Sequence, residues 1–135
     1  MSRMLNLVVI AALAGAALTG CAMNSQVNEF NDEHEPTDVI TDLGLNGQEA
    51  SLDASTARLL WESDTDRIFV AKGNKDDGKT CLVIAAGSDS PSVACTTGLP
   101  LESATTDGLK LYLSDTPPPK NEDWVQRSDS LWTQR

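Results

Sequence analysis

Two cysteines limit how the middle of this chain folds. Thr80 to Ala86 is apolar on both faces, as in a β-strand covered on both sides. Gly87 to Pro91 has the composition of a turn, and Ser92 to Thr96 predicts a further strand. In a hairpin centred on Ser88 within that turn, the numbers of opposite residues sum to 176. Cys81 then lies directly opposite Cys95, with Cβ atoms about 4.5–5.5 Å apart. We therefore expect a Cys81–Cys95 disulfide, with two free thiols as the alternative.

The neighbouring segments predict more strands. Arg67 to Lys72 is rich in β-forming residues, and Leu109 to Leu113 places leucines on one face and polar or aromatic residues on the other. Trp124 to Arg127 and Leu131 to Thr133 predict a closing strand or hairpin, whereas Gly98 to Gly108 has a loop-like composition. The pattern favours a small antiparallel sheet or meander.

One segment predicts a short N-terminal helix. Between Asp53 and Trp61, Asp53 is an acceptable N-cap, and Thr56, Leu59 and Leu60 share one face at helical spacing. A strand is the competing prediction, because the segment is short. The expected fold class is therefore mainly β, with α+β as the alternative, one short helix and one disulfide.

The N-terminus has the three parts of an export signal. Arg3 provides a positive charge, Leu7 to Leu18 is apolar and uncharged, and small residues precede Cys21. The apolar run is too short for a permanent transmembrane helix. Leu18-Thr19-Gly20-Cys21 resembles the bacterial lipobox, which implies cleavage between Gly20 and Cys21 and lipidation of Cys21. An ordinary signal peptide with an unrelated cysteine is the alternative.

Lipidation would make the bilayer a partner of the protein. A diacylglyceryl group supplies two acyl chains, which suffice for stable anchoring on the extracytoplasmic face of the cell membrane. Ala22 follows the cysteine where the lipoprotein pattern has aspartate for inner-membrane retention, so an outer-membrane location stays open if the host has one.

The sequence predicts a domain organisation of 1–20 as signal peptide, 21–50 as lipidated cysteine and acidic tether, and 51–135 as a β-rich domain. The tether is polar around Glu29 to Glu35 and would reach roughly 30 Å as a flexible coil. Val39, Ile40, Leu43 and Leu45 lie near its end, so docking of that end on the domain is the alternative.

The charge of the chain excludes nucleic acid as an expected partner. The net charge is −10, and loss of Arg3 with the signal makes it about −11. Such a surface confers solubility or attracts a basic envelope or secreted protein.

We predict no catalytic residue, no metal and no cofactor. The single histidine, His34, lies in the acidic tether, where no scaffold holds a base against a nucleophile. The carboxylates around His34 are typical of solvated charge. Asp76 and Asp77 lie in a Gly-flanked turn, and Asn74, Asp76 and Gly78 lack the later ligands of a calcium loop.

Trp61, Trp124 and Trp132 are the candidate binding residues. Large aromatic side chains in a small domain usually pack in its core. If exposed, these three would form a platform for sugar rings or a partner protein.

The lipobox, the polar tether, and a domain carrying Thr56-Ala57-Arg58-Leu59-Leu60, Cys81-Leu82-Val83 and Ala94-Cys95 together resemble small cell-surface lipoproteins of actinobacteria. The resemblance implies a disulfide-linked β-rich domain outside the cell and implies no activity. We expect a non-enzymatic binding or envelope-interaction module. The alternatives are an acidic inhibitor of a secreted basic hydrolase such as lysozyme, a small envelope hydrolase using carboxylates, and a purely structural surface protein.

Overall fold

The protein is mainly β. A computed structural model describes residues 26–74, 77–87, 90–120 and 122–135, and over these ranges the chain forms two antiparallel sheets. The strands are β1 (Leu52–Glu62), β2 (Asp66–Gly73), β3 (Thr80–Ala86), β4 (Ser92–Thr96), β5 (Leu101–Ala104), β6 (Lys110–Leu113), β7 (Val125–Gln126) and β8 (Leu131–Gln134). Short 3₁₀ helices precede them at Asn28–Asn31, Pro36–Asp38 and Gln48–Ser51.

Each sheet has four strands in the described part of the chain. Sheet 1 is a meander in the order β1-β2-β3-β4, and sheet 2 has the order β5-β6-β8-β7. Turns and short connections suit this antiparallel arrangement, since neighbouring strands need no crossover helix.

The predicted hairpin and disulfide are confirmed. Strand β3 pairs with β4 so that Cys81 lies opposite Cys95 and Leu82 opposite Ala94. The two cysteine sulfurs are bonded, and their Cα atoms are 4.0 Å apart. The disulfide therefore joins a central strand of sheet 1 to its edge strand.

The two sheets pack face to face around an aliphatic core. Alternate residues point to opposite faces of a strand, and the inward-facing set from both sheets is aliphatic. The buried members of this core are Val27, Leu60, Ile68, Val70, Leu82, Ile84, Ala86, Leu101, Leu109, Leu111, Leu113 and Leu131. The two sheets thereby form a sandwich.

The outer face of sheet 1 is also covered. Its buried cluster combines residues of β1, β2 and β3 with two from the segment before β1, namely Ile40, Leu45, Leu52, Ala57, Phe69, Ala71, Cys81 and Val83. Strands β2 and β3 are thus buried on both faces, which explains why Thr80–Ala86 is apolar throughout.

The segment expected to be a tether packs on the domain from Val27 onward. Val27, Ile40 and Leu45 are buried. Of the residues for which docking is the alternative, Ile40 and Leu45 are buried and Val39 is 37% exposed. The division of the chain at residue 50 stays a prediction. A few apolar side chains at the right positions offset the ordering entropy of an otherwise polar segment.

The expected helix over Asp53 to Trp61 is wrong, and the competing strand is found. Strand β1 pairs with β2, but its register shifts between Asp53 and Arg58 and again between Leu59 and Trp61. Such bulges add residues to one strand, and the buried residues Leu52, Ala57 and Leu60 are five and three positions apart, so β1 lacks the strict two-residue alternation of a regular strand. No helix of seven or more residues occurs in the described ranges.

Two further expectations can be compared with the structure. Strand β5 lies within Gly98 to Gly108, so the expected loop is wrong for Leu101–Ala104. The closing hairpin is confirmed, because β7 and β8 are antiparallel neighbours. Gly20 and Cys21, with the whole expected signal peptide, lie outside the described residues, as does Asp76. No helix in the described ranges is long and apolar enough to span a membrane.

Candidate functional site

Two of the three tryptophans lie together on the outer face of sheet 2. Tyr112 alternates with the core residues Leu111 and Leu113, so its ring points away from the core. Its ring centroid is 5.5 Å from that of Trp124 and 6.3 Å from that of Trp132. Trp132 is buried and Trp124 half-buried. The cluster therefore contributes to packing, and only Trp124 shows an appreciable part of its ring to solvent.

An acidic connector borders this aromatic cluster. Between β6 and β7 the chain exposes Asp115, Glu122 and Asp123, while Pro118 is buried. The indole N–H of Trp124 donates to Glu122 Oε2 at 2.6 Å. A half-buried indole and two exposed carboxyl side chains thus lie next to each other in the sequence and on the surface.

Trp61 lies apart from this cluster, at the rim of the core between the sheets. The guanidinium carbon of Arg127 is 4.6 Å from its ring centroid, and Arg127 Nε donates to Thr133 Oγ1 at 2.9 Å. This side chain covers the ring and links β8 to the edge of sheet 1. The three tryptophans therefore do not form one exposed platform.

Other basic side chains also lie over aromatic rings. Lys72 Nζ is 5.1 Å from the centroid of Phe30, and Arg67 Cζ is 5.1 Å from that of Phe69. Arg58 donates from Nε and Nη2 to the carbonyl of Asp32, at 3.1 and 2.9 Å. These basic groups contact aromatic rings and backbone carbonyls instead of carboxylates.

Most carboxylates are left facing solvent. Those exposed in the described ranges are Asp32, Glu33, Glu35, Asp42, Glu49, Asp53, Glu62, Asp64, Asp77, Glu102, Asp107, Asp115, Glu122, Asp123 and Asp129. Of all carboxylates described, only Asp66 and Asp107 lie within 4.0 Å of a basic group, in both cases Arg135. The surface potential is therefore strongly negative.

A buried carboxylate fastens the N-terminal segment. Glu29 Oε1 accepts a hydrogen bond from the backbone N–H of Ser130 at 3.0 Å, and the Asn28 N–H donates to Ser130 Oγ at 3.3 Å. These bonds join the start of the folded chain to the turn before β8. They hold Val27 at the inter-sheet core.

The same segment covers the free edge of β1. Asp38 is buried, and its Oδ1 accepts from the backbone N–H of Leu59 at 2.7 Å while its Oδ2 accepts from Glu35 N–H at 2.7 Å. An edge strand with unpaired backbone groups invites pairing with other chains. The carboxylate of Asp38 satisfies one such group.

A third buried carboxylate, Asp66, lies at the other end of the sandwich. Its Oδ2 has no hydrogen-bond partner and is 4.0 Å from Arg135 Nη2. Arg135 Nη1 is 3.4 Å from Asp107 Oδ2. One guanidinium therefore lies between a carboxylate of sheet 1 and one in the β5–β6 turn of sheet 2.

Asp107 is held in its ionised form. The hydroxyl of Thr105 donates a hydrogen bond to Asp107 Oδ1. That bond first, and then the backbone of Leu109 and the guanidinium of Arg135, hold the pKa of Asp107 below its ordinary value of 3.8. A carboxylate with a lowered pKa is a weaker base and a steadier negative charge.

Sequence reasoning missed the Asp66–Asp107–Arg135 group and the contacts of Glu29. Val27 and Phe30 were a signal for docking of the first segment, because they are the apolar residues of an otherwise polar stretch. The sequence around Asp66 is that of an ordinary turn, so it does not indicate that this carboxylate is buried or functional. His34 is exposed, and no three His, Cys, Asp or Glu side chains of the described ranges are grouped as metal ligands would be.

Comparisons with known proteins add no family to this geometry. No protein-family model matches the chain, no curated protein is significantly similar, and no solved structure matches. The function of this protein is therefore inferred from its own residues and their contacts.

Proposed function

We propose that this protein is an extracytoplasmic lipoprotein, anchored through Cys21, that binds a cationic partner without catalysing a reaction. The observation that carries the binding proposal is the division of its charges. Arg67, Lys72 and Arg127 lie over aromatic rings and Arg58 on a backbone carbonyl. In the described ranges the only exposed carboxylate within 4.0 Å of a basic group is Asp107, beside Arg135. An unpaired negative surface attracts cations over about a Debye length.

The anchoring proposal is supported by the signal-like N-terminus and the tetrad that ends at Cys21. The buried start of the folded unit adds a distance to it. Five residues lie between Cys21 and Val27, and the six peptide units that join them span at most about 21 Å. An acylated Cys21 would therefore hold the domain close to the bilayer surface. The anchored domain would lie on the extracytoplasmic face of the cell membrane, or at the outer membrane in a host that has one.

The lowered pKa of Asp107 favours binding over carboxylate catalysis. General acid–base work at neutral pH needs a carboxyl with a raised pKa beside a second group. The pKa of Asp107 is lowered, not raised. This supports a role for Asp107 as fixed negative charge.

One observation favours a particular partner as a second candidate. Glu122 and Asp123 are exposed next to the half-buried Trp124, and carboxylates beside an aromatic surface suit a protein whose binding site is basic. A secreted basic hydrolase such as lysozyme is such a partner. In this candidate function the lipoprotein is the inhibitor of that enzyme.

The test is capture of envelope and secreted proteins by the soluble fragment 22–135 at low and at high salt. We expect a basic protein to be retained at low salt and released at high salt, because exposed charge pairs are screened. A Glu122→Gln/Asp123→Asn fragment, compared with Asp42→Asn/Glu49→Gln as a control of equal charge, locates the contact. Capture of no basic protein would contradict the binding proposal. Capture without loss of hydrolase activity would contradict the inhibitor.

A further inference from the structure

The buried carboxylate of Asp66 is incompletely satisfied. Asp66 begins β2 with the same alternation as Ile68 and Val70, so it faces the space between the sheets. Its side chain is 2% exposed. Its Oδ2 accepts no hydrogen bond, although buried carboxylates normally receive several.

The nearest cation is held too far away to supply that bond. Arg135 Nη2 lies 4.0 Å from Asp66 Oδ2, whereas a charge-assisted N–H···O bond is about 2.7–2.9 Å long. Arg135 follows β8, whose Gln134 is paired with Lys110 of β6. The same guanidinium also faces Asp107 Oδ2 at 3.4 Å, so one group is shared between two carboxylates. A guanidinium that contacts Asp66 Oδ2 at hydrogen-bond distance would satisfy it better.

Asp107 supplies a second carboxylate, and its position relative to Asp66 suits a guanidinium group. Asp107 Oδ2 is 3.4 Å from Arg135 Nη1, so the two terminal nitrogens of one planar group face two carboxylates. Thr105 fixes Asp107 Oδ1 through its hydroxyl and accepts the backbone N–H of Leu109 at 3.1 Å. A planar fork with several donors suits such a pair of acceptors better than an ammonium does.

We propose that Asp66 and Asp107 form a binding site for a guanidinium group, which Arg135 fills in the free protein and which an arginine side chain of a partner takes by displacing it. The site itself is independent of the proposed function. The identification of its ligand as an arginine of the cationic partner rests on that function.

The site is placed where a partner can reach it. The side chains of Arg135 and Asp107 are 61% and 52% exposed, so the cation that covers Asp66 meets solvent. The four residues of β8 lie between Ser130, which contacts Glu29, and Arg135. Five residue steps along the strand correspond to a rise of roughly 17 Å. The site therefore lies at the end of the sandwich opposite the segment that leads to Cys21.

The test uses the chain from residue 21 onward with Cys21→Ser and removes the internal guanidinium by Arg135→Gln. Methylguanidinium is titrated at constant ionic strength, and backbone amide shifts are followed by NMR. We expect saturable shifts confined to residues around Asp66, Thr105 and Asp107, with an affinity about tenfold above that of the Arg135 protein, because the internal competitor is gone. Methylammonium should bind more weakly.

Asp107→Asn in the Arg135→Gln background is the control for the site, since Asp107 is exposed and its replacement leaves the core intact. It should lower the affinity for methylguanidinium toward that of methylammonium. Shifts spread over the whole acidic surface, or equal binding with and without Asp107, would overturn the proposal.

Failure of this site is distinguishable from failure of the proposed function. Localised methylguanidinium binding without capture of any basic protein would support the site and contradict the cationic-partner function. Salt-sensitive capture that Asp107→Asn leaves unchanged, together with no localised shift, would contradict the site alone.

Discussion

Replacing Val27 by alanine tests whether the folded domain begins at the N-terminal segment. Val27 is 0% exposed and belongs to the core between the two sheets, with Leu60 and Leu131. Val39 provides the matched control, because it is the same residue type in the same segment but is 37% exposed. The two substitutions remove the same atoms from two different environments.

The expected loss of stability follows from the burial of Val27. Truncation to alanine removes two methyl groups, worth about 1.6 kcal/mol of transfer free energy at about 0.8 kcal/mol each. A cavity in a close-packed core adds to this, so we expect Val27→Ala to lower the free energy of unfolding by about 2–3 kcal/mol. Val39→Ala should change it by less than about 0.5 kcal/mol.

Urea denaturation followed by tryptophan fluorescence measures both effects in the soluble chain. The midpoint should fall for Val27→Ala with an unchanged m-value, which marks a change in stability and not in the native surface area. Equal midpoints for the two variants would show that residue 27 does not pack in the core. The segment would then be the flexible tether that its composition predicts.

The remaining predictions concern the disulfide, one carboxylate and the anchor. Reduction of Cys81–Cys95, or Cys95→Ser, should lower the free energy of unfolding by about 3 kcal/mol; an unchanged urea midpoint in reductant would contradict this. Because the folded pKa of Asp107 is lowered from 3.8, its contribution to stability is present above the unfolded pKa and is lost as pH falls through the folded pKa. The difference in stability between the protein and Asp107→Asn should therefore be constant above about pH 5 and shrink below pH 3.8. A difference that grows on acidification would contradict the lowered pKa. Cys21→Ser should move the protein from the membrane to the soluble fraction of its host, and continued membrane association would contradict anchoring through this residue.

The parts of the fold that the sequence predicts correctly depend on local, regular signals. The apolar segment containing Cys81, its turn, and Cys95 specify a strand pair because opposite residues in a hairpin are set by counting. Leu109 to Leu113 alternates cleanly, and its leucines are buried while Tyr112 lies on the opposite face. In such segments the period of the pattern and the tertiary environment agree.

The errors occur where tertiary contacts override the local pattern. Bulges in β1 break its two-residue alternation, so the spacing of Thr56, Leu59 and Leu60 fits a helix, although Leu59 and Leu60 pack in different clusters. The docking of Val27 depends on a gap between two sheets that no local pattern reveals. Asp66 and Arg135 are far apart in the chain, and only the stacking of sheet 1 on sheet 2 brings them together.

The acidic surface was partly predictable. The net charge of −10 follows from composition, but composition does not say whether carboxylates are paired. That property depends on where the bases go, and contacts such as Arg127 over Trp61 and Lys72 over Phe30 appear only in the fold. The three tryptophans likewise do not lie together, because Trp61 belongs to β1 of sheet 1 and Trp132 to β8 of sheet 2.

The central claim is that a lipid on Cys21 holds this negatively charged domain at a membrane. Intact-mass measurement of the protein extracted from the envelope of its natural host tests it most directly. The account predicts a chain that begins at Cys21, carries a diacylglyceryl group there, and is two hydrogens lighter for the Cys81–Cys95 disulfide. A mass that includes residues 1–20, or an unmodified Cys21, would contradict it.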